Sequence, residues 1–210
     1  MNSYQLSDNP DYETINYYNN NAASYSQNTA FLDVSSLYKH FEKFLPVKAR
    51  ILDAGCGSGR DSLYFLKSGY DVIAFDASQE MVKIASELTG LKVLQLYFLD
   101  INFQEEFDGI WACASILHVS RNFIDLVFDK LSGALKINGV LYASFKYGKN
   151  EEFRNGRLFN DYNNEDFEKL LENHPELAII DLWLTEDVRP DRKEMWLNCI
   201  LRKIEIVGHK

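Results

Sequence analysis

Three glycines, Gly55, Gly57 and Gly59, stand within five positions of the stretch ILDAGCGSGRD, which runs from Ile51 to Asp61. Glycine takes up positive φ readily and carries no Cβ, so a turn of this kind after a strand lets a ligand approach the backbone closely. A dinucleotide-binding turn would read G-x-G-x-x-G and lay a pyrophosphate on the N-terminus of the next helix. Here the spacing is G-x-G-x-G and the sixth position is Arg60. Asp53, two residues before the first glycine, adds negative charge that suits a cationic ligand group better than a pyrophosphate. A second acid, Asp76, follows roughly 20 residues beyond the turn, where a carboxylate can accept both hydroxyl protons of a ribose. Its plainer alternative is a helix cap for the SQEM that follows.

These residues need elements to hold them. Short β-branched runs alternate with helical patterns, the signature of a parallel sheet flanked by helices. Strands are expected over 50–54, 71–75, 92–97, 109–114 and 140–146, with helices over 60–67, 79–88 and 122–136. In the last helix Phe123, Val127, Leu131 and Leu135 recur every four residues, and Asn138-Gly139 is read as its stop. Beyond the fifth strand GKNEEFRNGRLFNDYNN reads as polar and irregular. A helix over 165–172 and two longer strands, 177–186 and 195–205, then form an antiparallel pair at one edge. Upstream, Val34, Leu37, Phe41 and Phe44 show helical spacing, capped by Asp33 or Ser35.

The whole chain, 1–210, is expected to be one domain, with residues 1–14 poorly ordered and 15–48 a helical cap segment. A net charge of -9 and a sequence pI near 5.0 repel phosphate backbones and anionic lipid. A nucleic-acid partner would need a local basic patch, and none stands out. No run reaches the roughly 20 apolar residues of a membrane span, and the polar N-terminus is no secretory signal. Cys56, Cys113 and Cys199 are an odd, scattered set with no CxxC pair, so no metal or redox site is expected and a reducing cytoplasm is the simplest setting.

Five segments in order carry a family resemblance. LDAGCGSGR, VIAFDASQEMVKIA, YFLDI, FDGIWACASILHV and LKINGVLYASF resemble the successive motifs of the class I S-adenosylmethionine-dependent methyltransferases, over about Ile15 to the C-terminus. GSGR followed by Asp61 and Ser62 resembles the tellurite-resistance branch. The resemblance implies an α/β, Rossmann-like fold: a seven-stranded, mostly parallel sheet with an antiparallel last strand and helices on both faces. It implies S-adenosylmethionine as cofactor, held by the turn residues Gly55, Cys56, Gly57, Gly59 and Arg60. Asp76 and Ala77 would lie at the ribose, Met81 against the adenine face, and Asp100 with Ile101 at the adenine edge. Asp53 would orient the turn and the ligand's ammonium through backbone or water, and main-chain groups of Ala112 and Cys113 would face the methionine portion. YYNNNAASY resembles a segment that closes over the cofactor, with Tyr18 and Tyr25 as contacts; a tyrosine-rich surface loop is its alternative.

A sulfonium methyl is already activated, so holding the acceptor in line and excluding water can supply much of the rate enhancement. If a base is needed, His118 is the nearest titratable candidate. The DPPY or NPPY tetrapeptide of amino-DNA methyltransferases is missing where ACAS stands, which leaves a small-molecule acceptor, an anionic or metalloid one included. Lys146, Tyr147, Arg157, Tyr162, Arg189, Arg192 and Trp196 lie on segments that could cover the site and select it. The two other classes of reading are a nicotinamide-dependent oxidoreductase, disfavoured by Arg60, and a non-catalytic cofactor-binding module that acts through a partner protein.

Overall fold

The structure, a computed structural model, describes residues 12–189 and 191–206. Of the N-terminal stretch expected to be poorly ordered, residues 1–11 lie outside the described residues, and Tyr12 to Thr14 open the first helix. The elements run α1 (Tyr12–Thr29), α2 (Ser35–Glu42), β1 (Arg50–Ala54), α3 (Arg60–Lys67), β2 (Asp71–Asp76), α4 (Gln79–Thr89), β3 (Leu94–Gln95), β4 (Phe107–Ala112), α5 (Arg121–Ala134) and β5 (Leu135–Lys146). They continue with β6 (Glu151–Arg154), β7 (Arg157–Asn160), α6 (Asn164–Leu171), β8 (Leu177–Glu186) and β9 (Met195–Lys203).

Seven strands form one sheet in the order β3-β2-β1-β4-β5-β9-β8. The first five pair in parallel, while β9 lies antiparallel between β5 and β8. Because successive side chains of a strand face opposite ways, β5 sends Val140 and Tyr142 to one face and Leu141, Ala143 and Phe145 to the other. The first face is covered by α2, α3 and α4 through Phe41, Phe65 and Ala85, the second by α5 and α6 through Val127, Phe128 and Phe167. Trp111 and Tyr142 stack 4.0 Å apart at the centre of the first layer. No described helix is long and apolar enough to cross a membrane.

Three local readings change. The segment carrying YYNNNAASY is not a surface loop but part of the 18-residue α1. Asn, Ser, Thr and Tyr are indifferent helix formers, so this helix is held from outside, by the contacts described below. The stretch after β5, read as irregular, contains the β6–β7 hairpin, turned at Asn155 and Gly156 with φ 52 and 77. That Asn-Gly pair is the signal of a two-residue hairpin turn. Finally α5 stops at Ala134 and β5 begins at Leu135, so Asn138-Gly139 lies inside a strand rather than ending a helix; Asn138 takes φ 68, and the β4–β5 register shifts between Phe107 and Gly109.

Candidate active site

A cavity of about 290 Å³ opens at the carboxyl ends of β1, β2, β4 and β5 and extends to the neighbouring ends of β8 and β9. Its floor at one end is the glycine turn. Gly55, Gly57 and Gly59 all take positive φ, at 76, 54 and 85. A Cβ on Gly55 would stand 2.5 Å from that of Ser115, whose hydroxyl donates to the Ala54 carbonyl at 2.6 Å. No atom lies within 4 Å of where a Cβ of Gly57 would be, so that position is open backbone at the cavity wall. Gly59 does not line the cavity as expected. Its missing Cβ lets α4 approach, since a methyl there would meet Ala85 and Thr89 at 3.0 to 3.1 Å.

Asp76 ends β2 at the wall beside this turn. Its two oxygens accept the N–H groups of Gly57 and Ser78, each at 2.8 Å, which fixes the carboxylate plane and leaves lone pairs for further donors. Burial pushes its pKa up to about 6 against those backbone donors. The cap of α4 is supplied by Ser78, whose Oγ accepts from Met81 N–H at 3.2 Å. Ala77 and Met81 line the cavity with it, as do Cys56, Arg60 and Cys113. Burial raises the thiols of Cys56 and Cys113, the latter to about 12, so neither is a thiolate near neutrality.

Four other expectations shift. Asp53 is buried away from the cavity, accepting the Ser62 hydroxyl at 2.5 Å, and burial with the Asp61 charge raises its pKa. It can support the turn only from behind. Asp61, absent from the sequence-based candidates, lines the cavity instead. Burial would raise its pKa, but Arg60 at 2.6 Å, with Tyr38 and Trp111 donating, holds it below the usual range. Asp100 is exposed on a short 3₁₀ turn, and Ile101 is packed in the core with its carbonyl taken by Lys130 Nζ at 2.9 Å. Leu96, Tyr97 and Phe98 line that end in their place, because β3 is only two residues long and the chain turns inward sooner than a six-residue strand would. Ala112 is likewise sealed in the core, while Ala114, one residue past Cys113, reaches the wall.

Above the turn, α1 and the β6–β7 hairpin form a roof. Thr14 Oγ1 accepts the Leu158 N–H at 2.9 Å, Asn19 Oδ1 accepts the Ser78 hydroxyl at 2.8 Å, and Arg157 lies 4.5 Å over the Tyr17 ring. Tyr18 and Tyr25 pack edge to face at 5.1 Å, both on the cavity. His118 completes the roof. Its Nδ1 lies 2.6 Å from the Leu158 carbonyl, which only a protonated Nδ1 can satisfy, so Nε2 accepts the Tyr18 hydroxyl at 2.9 Å. Burial, with Arg157 and Arg154 nearby, lowers its pKa to about 4.

At the other end stand the residues expected to choose an acceptor. Lys146 Nζ meets Asp187 at 3.2 Å and Glu194 at 2.5 Å, and sits 4.1 Å over Trp196. Arg189 clasps Asp187 through two bonds of 2.8 and 2.6 Å, and Trp196 Nε1 donates to the same carboxylate at 3.1 Å. Burial would raise Asp187, but these donors hold it well below the usual range. Arg192 pairs with Glu194 at 3.8 Å. The expected pair of free cations is therefore spent on carboxylates. Tyr147 and Tyr162 leave the cavity altogether. Strand alternation turns Tyr147 to solvent when Lys146 faces in, and Tyr162 packs on Phe145 at 5.0 Å. Between the two ends lie Tyr142, Ser144, Thr185 and Asn198, which sequence reasoning missed because they sit inside strands that read as core. Tyr142 donates to Asn198 Oδ1 at 2.7 Å, and Asn198 donates to Thr185 at 3.0 Å.

Residues 51–139 match the methyltransferase domain family. The chain is 28% identical over 193 residues to an uncharacterized methyltransferase of Staphylococcus carnosus, covering 83% of this chain and 89% of that protein. Its fold is similar to the 1,6-didemethyltoxoflavin-N1-methyltransferase of Burkholderia thailandensis, solved with its substrate and S-adenosylhomocysteine, with a TM-score of 0.73 at 20% identity over 92% of this chain and 86% of the other. It is also similar to TehB from Haemophilus influenzae, with a TM-score of 0.66 at 19% identity over 85% and 65% of the two chains.

Proposed function

We propose that the chain is a class I S-adenosylmethionine-dependent methyltransferase and that it methylates a small molecule bearing an anionic or strongly polar group. The cofactor fits the glycine end: open backbone at Gly57 and a carboxylate fixed at Asp76. In this reading Asp76 accepts the ribose hydroxyls, Met81, Tyr97 and Phe98 enclose the adenine, and the turn with Cys113 holds the methionine portion. Bound S-adenosylmethionine supplies an activated methyl. The chain's own work is to seat the acceptor, exclude water under the α1 roof and hold charge.

The observation that carries the acceptor class is Arg157. Among the described residues it has no carboxylate partner, its Nε is buried without a hydrogen bond, and its guanidinium lies 5.8 and 5.1 Å from the rings of Tyr18 and Phe159 on the cavity and 4.5 Å from that of Tyr17 behind them. A guanidinium stacked on aromatics, with only the neutral Tyr18 hydroxyl as its hydrogen-bonding neighbour, has no competing anion and suits an oxyanion. Elsewhere on the same cavity, Tyr142, Ser144 and Asn198 offer neutral hydrogen bonds to the rest of a small acceptor.

Calorimetry should find S-adenosylmethionine and S-adenosylhomocysteine bound in the micromolar range or tighter. NADH binding with neither of these would overturn the cofactor assignment. Transfer of labelled methyl across matched anionic and neutral acceptors should favour the anionic set, with Arg157→Ala raising KM for that set while cofactor affinity holds. Turnover of neutral acceptors alone, unaffected by Arg157→Ala, would remove the acceptor proposal. Cofactor binding without turnover of any acceptor would favour the non-catalytic module.

A further inference from the structure

Away from the cavity, α5 meets the turn that enters β8. There His174 is 1% exposed, yet it is surrounded by carboxylates. Its Nε2 lies 3.1 Å from Asp125 Oδ1, while Nδ1 lies 3.2 Å from Asp129 Oδ1 and 3.7 Å from Glu176 Oε1. Among the described residues the Nδ1 has no hydrogen-bond partner. Asp129 Oδ1 is close enough to be one, so it must lie off the axis along which that nitrogen would donate a proton. None of these four residues lines the methyl-transfer cavity.

We propose that Asp129, His174 and Glu176 form a binding site for one divalent transition-metal cation, zinc in the first place, which clips α5 to the start of β8. Three observations support it. The ligand atoms of all three residues lie within 4.8 Å of one another, and bonds of about 2.0 to 2.1 Å at a tetrahedral angle set ligand atoms about 3.4 Å apart, between the 3.2 and 3.7 Å found here. Oxygens that share a metal with a nitrogen must lie off that nitrogen's lone-pair axis, as Asp129 does. Asp125 supplies the partner a metal-bound histidine needs: with Nε2–H donated to a carboxylate, Nδ1 keeps its lone pair and the ring orientation is fixed. Asn173 Nδ2, at 3.0 Å, steadies that same Asp125 oxygen. One imidazole with two carboxylates suits zinc better than calcium or magnesium, which take oxygen ligands. The Asp129 side chain is 63% exposed, so the cation has an entry path and room for a water at the fourth position.

The competing occupant is a proton. A doubly protonated His174 among three acids would also tie the two segments. Because His174 is buried, its ring tilted against Phe128 at 5.4 Å, its replacement endangers the fold, so the test uses the carboxylates. Chelator-treated protein is titrated with zinc chloride, following heat and melting temperature, with cobalt chloride as a spectroscopic probe. One zinc per chain, a rise in melting temperature, and visible cobalt bands of a four-coordinate site are expected. The double variant Asp129→Asn, Glu176→Gln should bind zinc about 100-fold more weakly or worse, yet keep its S-adenosylhomocysteine affinity. Zinc binding that survives the double substitution would place the metal elsewhere and overturn the site. So would a wild-type melting temperature that ignores zinc and rises only on acidification.

Discussion

The two ends of the cavity are built by different physics. At the glycine end the wall is main chain: positive-φ glycines, the N–H groups of Gly57 and Ser78, and a single carboxylate they fix in place. At the β5–β9–β8 end it is a network of long side chains, with Lys146, Arg189 and Trp196 converging on one acid, Asp187. Backbone geometry admits few alternatives, so a ligand read from it is well specified. A side-chain network can be rebuilt around many ligands, and its charges are largely settled before any ligand arrives. Of the cations that suggest an oxyanion site in sequence, Lys146, Arg189 and Arg192 are, in space, counter-ions.

Three substitutions sharpen that contrast. Gly55→Ala should have the largest effect. It sets a side chain at φ 76 with its Cβ 2.5 Å from Ser115, combining a left-handed penalty of about 1 to 2 kcal/mol with overpacking of about 1 to 3 kcal/mol. A stability loss of about 2 to 5 kcal/mol in denaturant unfolding, together with collapse of cofactor binding, is expected. An alanine variant as stable as the parent would mean that the turn relaxes freely and is no rigid cradle. Asp187→Ala comes next. It strands Lys146, whose side chain is 7% exposed, and breaking a buried pair costs about 3 kcal/mol or more; the Glu194 contact offsets part of this, leaving about 2 kcal/mol. Cofactor affinity should hardly change. A large loss of affinity with little loss of stability would join the two ends that the geometry separates.

Asp76→Ala belongs to the glycine end and should do the reverse. Removing a carboxylate that accepts charge-assisted bonds is worth about 2 to 3 kcal/mol in cofactor affinity, with the fold retained. A pH dependence accompanies it. In the ligand-free chain Asp76 ionises at about 6 rather than 3.8, so the folded state holds its proton more tightly than the unfolded one. That contribution to stability is complete below the unfolded value and is lost as pH rises through 6. If the cofactor's ribose takes the charged form, as proposed, its binding should run the other way and strengthen over the same window. Calorimetry at pH 5 and pH 7 checks this: equal affinities would mean that Asp76 is not the acceptor.

The contrast also explains what sequence could convey. Asp76, Met81 and the turn sit at fixed offsets from a strand, so order along the chain nearly suffices to place them. Asp100 and Ile101 went astray through one contingency, the shortness of β3, which brings Tyr97 and Phe98 to the wall instead. Tyr142 and Asn198 are hidden because a polar group in a buried strand betrays nothing about which cavity it faces. Helix α1 is illegible for a different reason. Its asparagines and tyrosines carry little helical preference, and what stabilises it is the remote set of Leu158, Ser78, His118 and Arg157. Contacts across 59 to 144 residues leave no local signature.

The smallest expected effect tests the roof. In Tyr18→Phe the hydroxyl that donates to His118 Nε2 is lost, while the ring and its edge contact with Tyr25 remain. If the Tyr18–His118 bond serves to hold α1 down, the cost is that of one net hydrogen bond, about 1 kcal/mol. Cofactor affinity should then weaken about fivefold, and kcat should fall by no more than that. The pH profile of kcat is the sharper readout. His118 stays neutral down to about 4 because it is buried beside Arg157 and Arg154, which outweighs the pull of the Leu158 carbonyl on its Nδ1–H. It should therefore contribute no limb between pH 5.5 and pH 8, in the parent or in the variant, since a base that is already free of its proton throughout that range cannot titrate within it. A new acid limb near pH 6 in Tyr18→Phe, abolished by adding His118→Gln, would show that the tyrosine masks a working base. His118 would then move from a roof contact to a catalytic residue, and the acceptor would need a proton removed.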